Sequence, residues 1–318
     1  MDVADSCGCG GGLAPSCGRR GFSDLQLLED LSPGGLSPLA TDVAALCDHL
    51  QLLEGATAIT SGHGAALAAT GRYGAPSTVG GALAQPGVTL RYLPGTVTTA
   101  LRVEPRPSVH LSQPVAASVD LFDGGGRRVH QARLAAPEDL RLLDSVGPPT
   151  AGTADATAVA PPTPVLARPG LDDQIDLVDS HLTDAGGARL RTLLGHDGGH
   201  ARPVDPQRLE AVVAGVAELG LRPTFTVTSG IQQSHTGRVE AIGHAGRTLR
   251  LRSGGAVLAV SSTSVHRMWV TTAQGPHGPT SAVELFDAEG RALVLITLTG
   301  HHPVPAHRAW EELLIAQQ

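Results

Sequence analysis

The chain has 318 residues, with 23 basic against 30 acidic side chains and a formal net charge of −7, a length that fits about two domains. Every basic residue is arginine and lysine is absent, which excludes a Schiff-base lysine and the lysine of a P-loop. The acidic balance speaks against nucleic acid as a partner. No apolar run is long enough to span a bilayer, so the chain is not expected to be membrane-embedded.

Residues 1–40 are rich in Gly, Ser and Pro and read as a flexible tail carrying Cys7, Cys9 and Cys17. These three thiols have no His nearby and fall one ligand short of a zinc site, so they read as reduced cysteines. The start lacks a basic segment followed by a long apolar one, and a cytoplasmic location is expected. The first predicted helix places Val43, Leu46, Leu50 and Leu53 on one face, with Thr41 or Asp42 as N-cap and Cys47 in the core. A β-rich run over 56–60 follows. Strands are predicted over 88–93, 96–103, 115–122 and 128–134, and a closing helix over 137–146.

Residues 147–170 hold 6 prolines in 24 positions and read as an extended linker. The second half then repeats the order. Asp205 caps a helix that opens at Pro206 and buries Leu209, Val212, Val213, Val216 and Leu219. A β-run over 224–228 follows, then strands over 247–252, 257–261, 267–272, 281–286 and 292–298, and a helix over 305–316. Alternation and short turns favour antiparallel pairing.

The halves share three landmarks in order. Thr60-Ser61-Gly62 recurs at Thr228-Ser229-Gly230, Thr70-Gly71-Arg72 at Thr236-Gly237-Arg238, and Leu121-Phe122-Asp123 at Leu285-Phe286-Asp287. The offsets are 168, 166 and 164 positions, nearly constant, as an internal duplication requires. The expected organisation is a tail at 1–40, a first repeat at 41–146, a linker at 147–170 and a second repeat at 171–318. The expected fold class is α+β: two tandem antiparallel β-sheet units with packed helices. No Gly-x-Ser-x-Gly elbow and no Gly-rich turn between a strand and a helix occurs.

Three stretches carry a resemblance: Ile231-Gln232-Gln233-Ser234-His235-Thr236-Gly237-Arg238-Val239-Glu240, Met268-Trp269-Val270, and Thr280-Ser281-Ala282-Val283-Glu284-Leu285-Phe286-Asp287. With Ala309-Trp310, they resemble segments of the intracellular haemin-degrading factor family (HemS/ChuS/HmuS type), over roughly residues 41–318. The resemblance implies haem as ligand. It also implies a place in haem-iron acquisition, and a haem importer or haem-accepting protein as partner. Family members carry haem or open its ring oxidatively. By resemblance, His181 in Val178-Asp179-Ser180-His181 is the axial iron ligand at the opening of a helix, with Asp179 available to its second nitrogen. Arg91 and Arg189 fall where the family places cations suited to carboxylates, and His235 falls in the pocket-lining Thr-Gly element.

Several positions depart from the family pattern. The aromatic pair after the axial His is Leu182-Thr183 here, Gly186-Gly187 interrupts the helix, and the cations after Trp-Val are Thr271-Thr272-Ala273. The alternative reading is a non-catalytic binding module on the same scaffold that has lost haem binding.

Overall fold

The computed structural model describes residues 23–32, 34–40, 42–81, 87–105, 116–136, 138–144, 146–147, 164–184, 186–196 and 199–317. Cys7, Cys9, Cys17 and most of the expected linker lie outside the described residues. Through the first half the elements are α1 (Asp24–Leu31), β1 (Leu36–Leu39), α2 (Val43–Gln51), β2 (Ala56–Gly62), β3 (Ala65–Gly71), β4 (Thr89–Tyr92), β5 (Thr99–Val103), β6 (Ser118–Phe122), β7 (Arg128–Leu134) and α3 (Asp139–Leu143). Through the second they are α4 (Gln174–Leu182), α5 (Ala188–Leu194), β8 (Ala201–Val204), α6 (Leu209–Glu218), β9 (Thr224–Thr228), β10 (Ile231–Thr236), β11 (Ala241–Ala245), β12 (Thr248–Ser253), β13 (Ala256–Ser261), β14 (Arg267–Gly275), β15 (Gly278–Phe286), β16 (Ala292–Thr297) and α7 (Val304–Ile315). The class is α+β, with every strand pairing within the two sheets antiparallel.

Local chemistry accounts for the helices. Asp42 accepts hydrogen bonds from the N–H groups of Ala44 and Ala45 at the start of α2, while Val43, Leu46, Cys47 and Leu50 are buried. Burial, with Asp48 and Asp42 nearby, pushes the Cys47 thiol up to about 12, so it behaves as a small apolar residue. Asp205 accepts from Gln207 N in a 3-10 turn at Pro206–Arg208 that leads into α6. The described residues of the expected tail hold regular structure. Within 1–40, Ser23 and Gln26 form a reciprocal capping box at α1, Leu28 is buried, and β1 pairs with β5.

The duplication is visible in matched details. In both tight hairpins an Asp carboxylate accepts from the backbone N–H and the Nε of an Arg four residues on, Asp123 with Arg127 and Asp287 with Arg291. Both hairpins carry a register shift at the same Leu-Phe step. The sheets, however, do not divide between the halves. One has the order β1-β5-β6-β7-β2-β3-β13-β12-β11 and the other β4-β10-β9-β16-β15-β14-β8. Strand β4 leaves the first repeat to pair with β10, and β13 leaves the second to pair with β3. Each lent strand satisfies backbone groups that would otherwise form an exposed edge.

One large core links both sheets with α2, α6 and α7. It includes Leu46, Leu50, Val212, Val216, Val227, Val294 and Trp310. The Trp310 indole donates to Ser281 O at 2.8 Å. Among the described residues no helix is long and apolar enough to cross a membrane.

Candidate functional site under helices α4 and α5

Period-two alternation gives the seven-stranded sheet two different faces. Val227, Val283, Leu285, Val294 and Ile296 point into the main core. Ala282, Leu295 and Phe286 sit in two smaller clusters on the opposite side, with Leu177 and Val178 of α4 and Leu190 and Leu193 of α5. Helices α4 and α5 therefore form a cover on that second face. Asp173 caps α4 in a capping box with Asp176. The cover then breaks at Gly186 and Gly187, which take φ +61° and +76°, and Gly187 is the N-cap of α5. This is the interruption the paired glycines imply.

Glu284 on β15 is the centre of the cover's contacts and is fully buried. Its Oε2 lies 2.7 Å from His181 Nε2 and accepts from Arg189 Nε at 2.8 Å, while Oε1 accepts from Arg189 Nη2 at 2.6 Å and Thr271 Oγ1 at 2.5 Å. The Arg189–Glu284 pair is thus bidentate. Burial alone would raise the Glu284 pKa. The guanidinium of Arg189 and then the His181 contact outweigh it and hold the carboxyl well below the usual range. Arg189 also donates to Ala167 O. Asp184, in the turn between the helices, accepts from Arg189 N at 3.0 Å and Ala292 N at 3.1 Å.

Arg91 on β4 makes a second buried pair, through Nη2, with Asp179 of α4. Its Nη1 donates to Gly81 O, and the other Asp179 oxygen accepts from Gly80 N at 2.7 Å. Gln232 stands opposite Arg91 in the β4–β10 register and donates to Val178 O at 3.1 Å. Its own Oε1 is buried and has no hydrogen-bond partner among the described residues. Three strands separate β4 from β15, about 19 Å at ~4.8 Å per strand, so the two ion pairs lie on opposite sides of α4.

The structure places the four sequence-derived residues as follows. His181 and Arg189 meet on one carboxylate. Arg91 reaches the same helix from the far side. His235 is set apart: neighbouring strand residues face opposite ways, and its Nε2 contacts Ser253 Oγ at 3.1 Å. Burial lowers its pKa. Three details differ from the resemblance. His181 lies in the last turn of α4 rather than at its opening, because the capping box starts the helix at Gln174. Glu284, not Asp179, holds the His181 ring: side chains two positions apart on one helix do not face each other, and Asp179 pairs with Arg91 instead. Thr271, where the family has a cation, instead bonds Glu284. Sequence reasoning missed Glu284, although a signal was present: an acid stands at the same strand position in both repeats, Asp120 and Glu284, between apolar neighbours. Among the described residues no three His, Cys, Asp or Glu side chains gather as a metal-binding group.

The donor set fits haem in kind, having an imidazole for iron and guanidiniums for propionates. In this conformation each donor is satisfied by a carboxylate of the chain itself, and His181, Arg91 and Arg189 are at most 2 % exposed.

Residues 188–316 match the family model of the haemin-degrading HemS.ChuX domain. The chain superimposes on a haem-binding protein of Pseudomonas aeruginosa, PhuS in its holo form, with 20% identity, 93% of this chain and 91% of that chain covered, and a TM-score of 0.72. It is likewise similar to ChuS, a haem-degrading enzyme of Escherichia coli O157:H7, with 15% identity, 93% and 91% coverage and a TM-score of 0.74. At these identities the likeness is one of fold. Among curated proteins no sequence matches.

Proposed function

We propose that this chain binds haem beneath α4 and α5, with His181 as iron ligand and Arg189 and Arg91 as partners for the propionates. The observation that carries the reading is the meeting of His181 and Arg189 on Glu284. Glu284 presents to Arg189 the bidentate carboxylate that a propionate would present, beside an imidazole nitrogen suited to iron. Haem entry then requires both helices to lift, with Glu284 and Asp179 passing to water. Bound haem would supply dioxygen chemistry once reduced. The chain's residues would orient it and exclude water. The setting that goes with this reading is cytoplasmic haem-iron acquisition, with an importer or haem acceptor as partner. His235 lies outside the proposed site.

One observation favours a second reading. Every cation of the site is already neutralised and buried, as in a module whose pocket has closed into structural ion pairs. A haemin titration followed in the Soret region, with His181→Ala alongside, separates the two. A saturable one-to-one shift that the variant loses supports haem ligation. The same weak, non-saturating change in both proteins refutes it and leaves the second reading. Adding a reductant then distinguishes catalyst from carrier by loss of the Soret band.

A further inference from the structure

Helices α4 and α5 rest on the sheet through little apolar surface. Among the described residues the main core passes them by: Leu177 and Val178 of α4 and Leu190 and Leu193 of α5 enter two small satellite clusters, and Leu182 is the one further apolar side chain of the pair that is buried. Polar contacts take the place of apolar area. Glu284 alone receives His181 from α4, Arg189 from α5 and Thr271 from β14. Glycines with positive φ stand ahead of α4 and between the helices: Gly170 at +78°, Gly186 at +61° and Gly187 at +76°. Segments with few apolar contacts and such joints open most readily.

The first repeat supplies an internal comparison. Asp120 holds the position of Glu284 and is also fully buried. Among the described residues its side-chain donors are all from its own hairpin, Ser118, Arg128 and Gln131. The second repeat's acid is one methylene longer and reaches out of the sheet to two helices.

We propose that Glu284 is a latch: through His181 and Arg189 it keeps α4 and α5 closed on the sheet in the free protein, and its release sets how fast a ligand reaches His181. What enters rests on the haem reading; the closure is a property of the free chain.

The test is native-state hydrogen exchange of the full chain, read by mass spectrometry. Removing one partner of a buried pair leaves an uncompensated charge, so Glu284→Gln speeds exchange across 174–194 on the order of a hundredfold over the rest of the chain. Thr271→Val deletes one hydrogen bond and keeps both charges, so it speeds the same segment about fivefold and serves if the first variant does not fold. Asp120→Asn leaves that segment at the wild-type rate. Stopped-flow mixing with haemin gives faster association for Glu284→Gln. Exchange that rises uniformly over the whole chain, or rises as much over 174–194 in Asp120→Asn, overturns the latch. So does an unchanged haemin association rate when haemin binds saturably. Selective exchange in Glu284→Gln, with a wild type that takes up no haemin, sustains the latch and removes the haem reading instead.

Discussion

His130 on β7 makes the stability of this fold sensitive to mild acid. The ring is buried, with Nδ1 2.8 Å from Thr60 Oγ1 and Nε2 3.0 Å from Tyr73 Oη. Burial lowers its pKa from 6.5 to about 3. A depressed folded-state value means that the unfolded chain takes the proton first. The contribution is fully present above 6.5 and drains away as pH falls toward about 3. At pH 5 the unfolded ring is almost wholly charged and the folded one almost wholly neutral, a loss of about 2 kcal/mol relative to pH 8. Glu284 does not confuse this window. Its carboxyl is depressed, so its share is present above the ordinary value of 4.5 and is lost as pH falls from there toward the lowered one, below the interval between pH 8 and pH 5. His63, brought to about 4 by burial and by Arg127, adds in the same direction but is only partly buried and counts for less. The assay is urea unfolding at pH 8 and pH 5 for wild type and His130→Gln, whose amide keeps hydrogen-bonding capacity without titrating. The wild type should lose about 2 kcal/mol more than the variant between the two pH values. Equal losses would refute the buried neutral imidazole.

The Arg91–Asp179 pair predicts a double-mutant cycle. Arg91→Met leaves a buried carboxylate behind and should cost about 3–5 kcal/mol, while Arg91→Met with Asp179→Leu should recover most of it. Urea midpoints check this, and equal single and double losses would show that the charges are not coupled. At the head of α5, Gly187 has φ +76° and a Cβ would meet Glu289 O and Gly290 O at 3.0 Å. Gly187→Ala should therefore cost more than Gly246→Ala, where φ is +57° and the space is open and only the ~1–2 kcal/mol backbone penalty applies. Thermal unfolding of the two variants compares them, and equal losses would contradict the close seat of α5 on the β15–β16 turn.

How legible the chain was depended on side-chain pattern. Residues 128–134 and 224–228 alternate or are β-branched, and the strands found there have the expected bounds. Strand β3 went unread. Ala65–Gly71 is mostly Ala, with five successive buried residues, and a strand buried on both faces shows no alternation. Helix α1 was hidden by the Gly/Pro composition around it, although Ser23 and Gln26 carried a capping box. The site was legible only in part. His181, Arg91 and Arg189 came from a family resemblance, since an isolated His or Arg in an apolar stretch names no partner. Asp179 and Glu284, which decide what those cations do, lie 88 and 95 positions from the arginines they hold.

By itself the sequence determined the class of fold, the duplication and most of the elements, because caps, periodicity and turn residues act within a few positions of one another. It also excluded lysine chemistry outright. Only the tertiary structure decided that β4 and β13 change sheets, that His235 faces away from the other three residues, and that a buried acid on β15 closes the cover. Those outcomes depend on strand partners and on charges meeting across the fold. Strand pattern specifies a face, not a partner, and a buried charge takes whichever countercharge packing delivers.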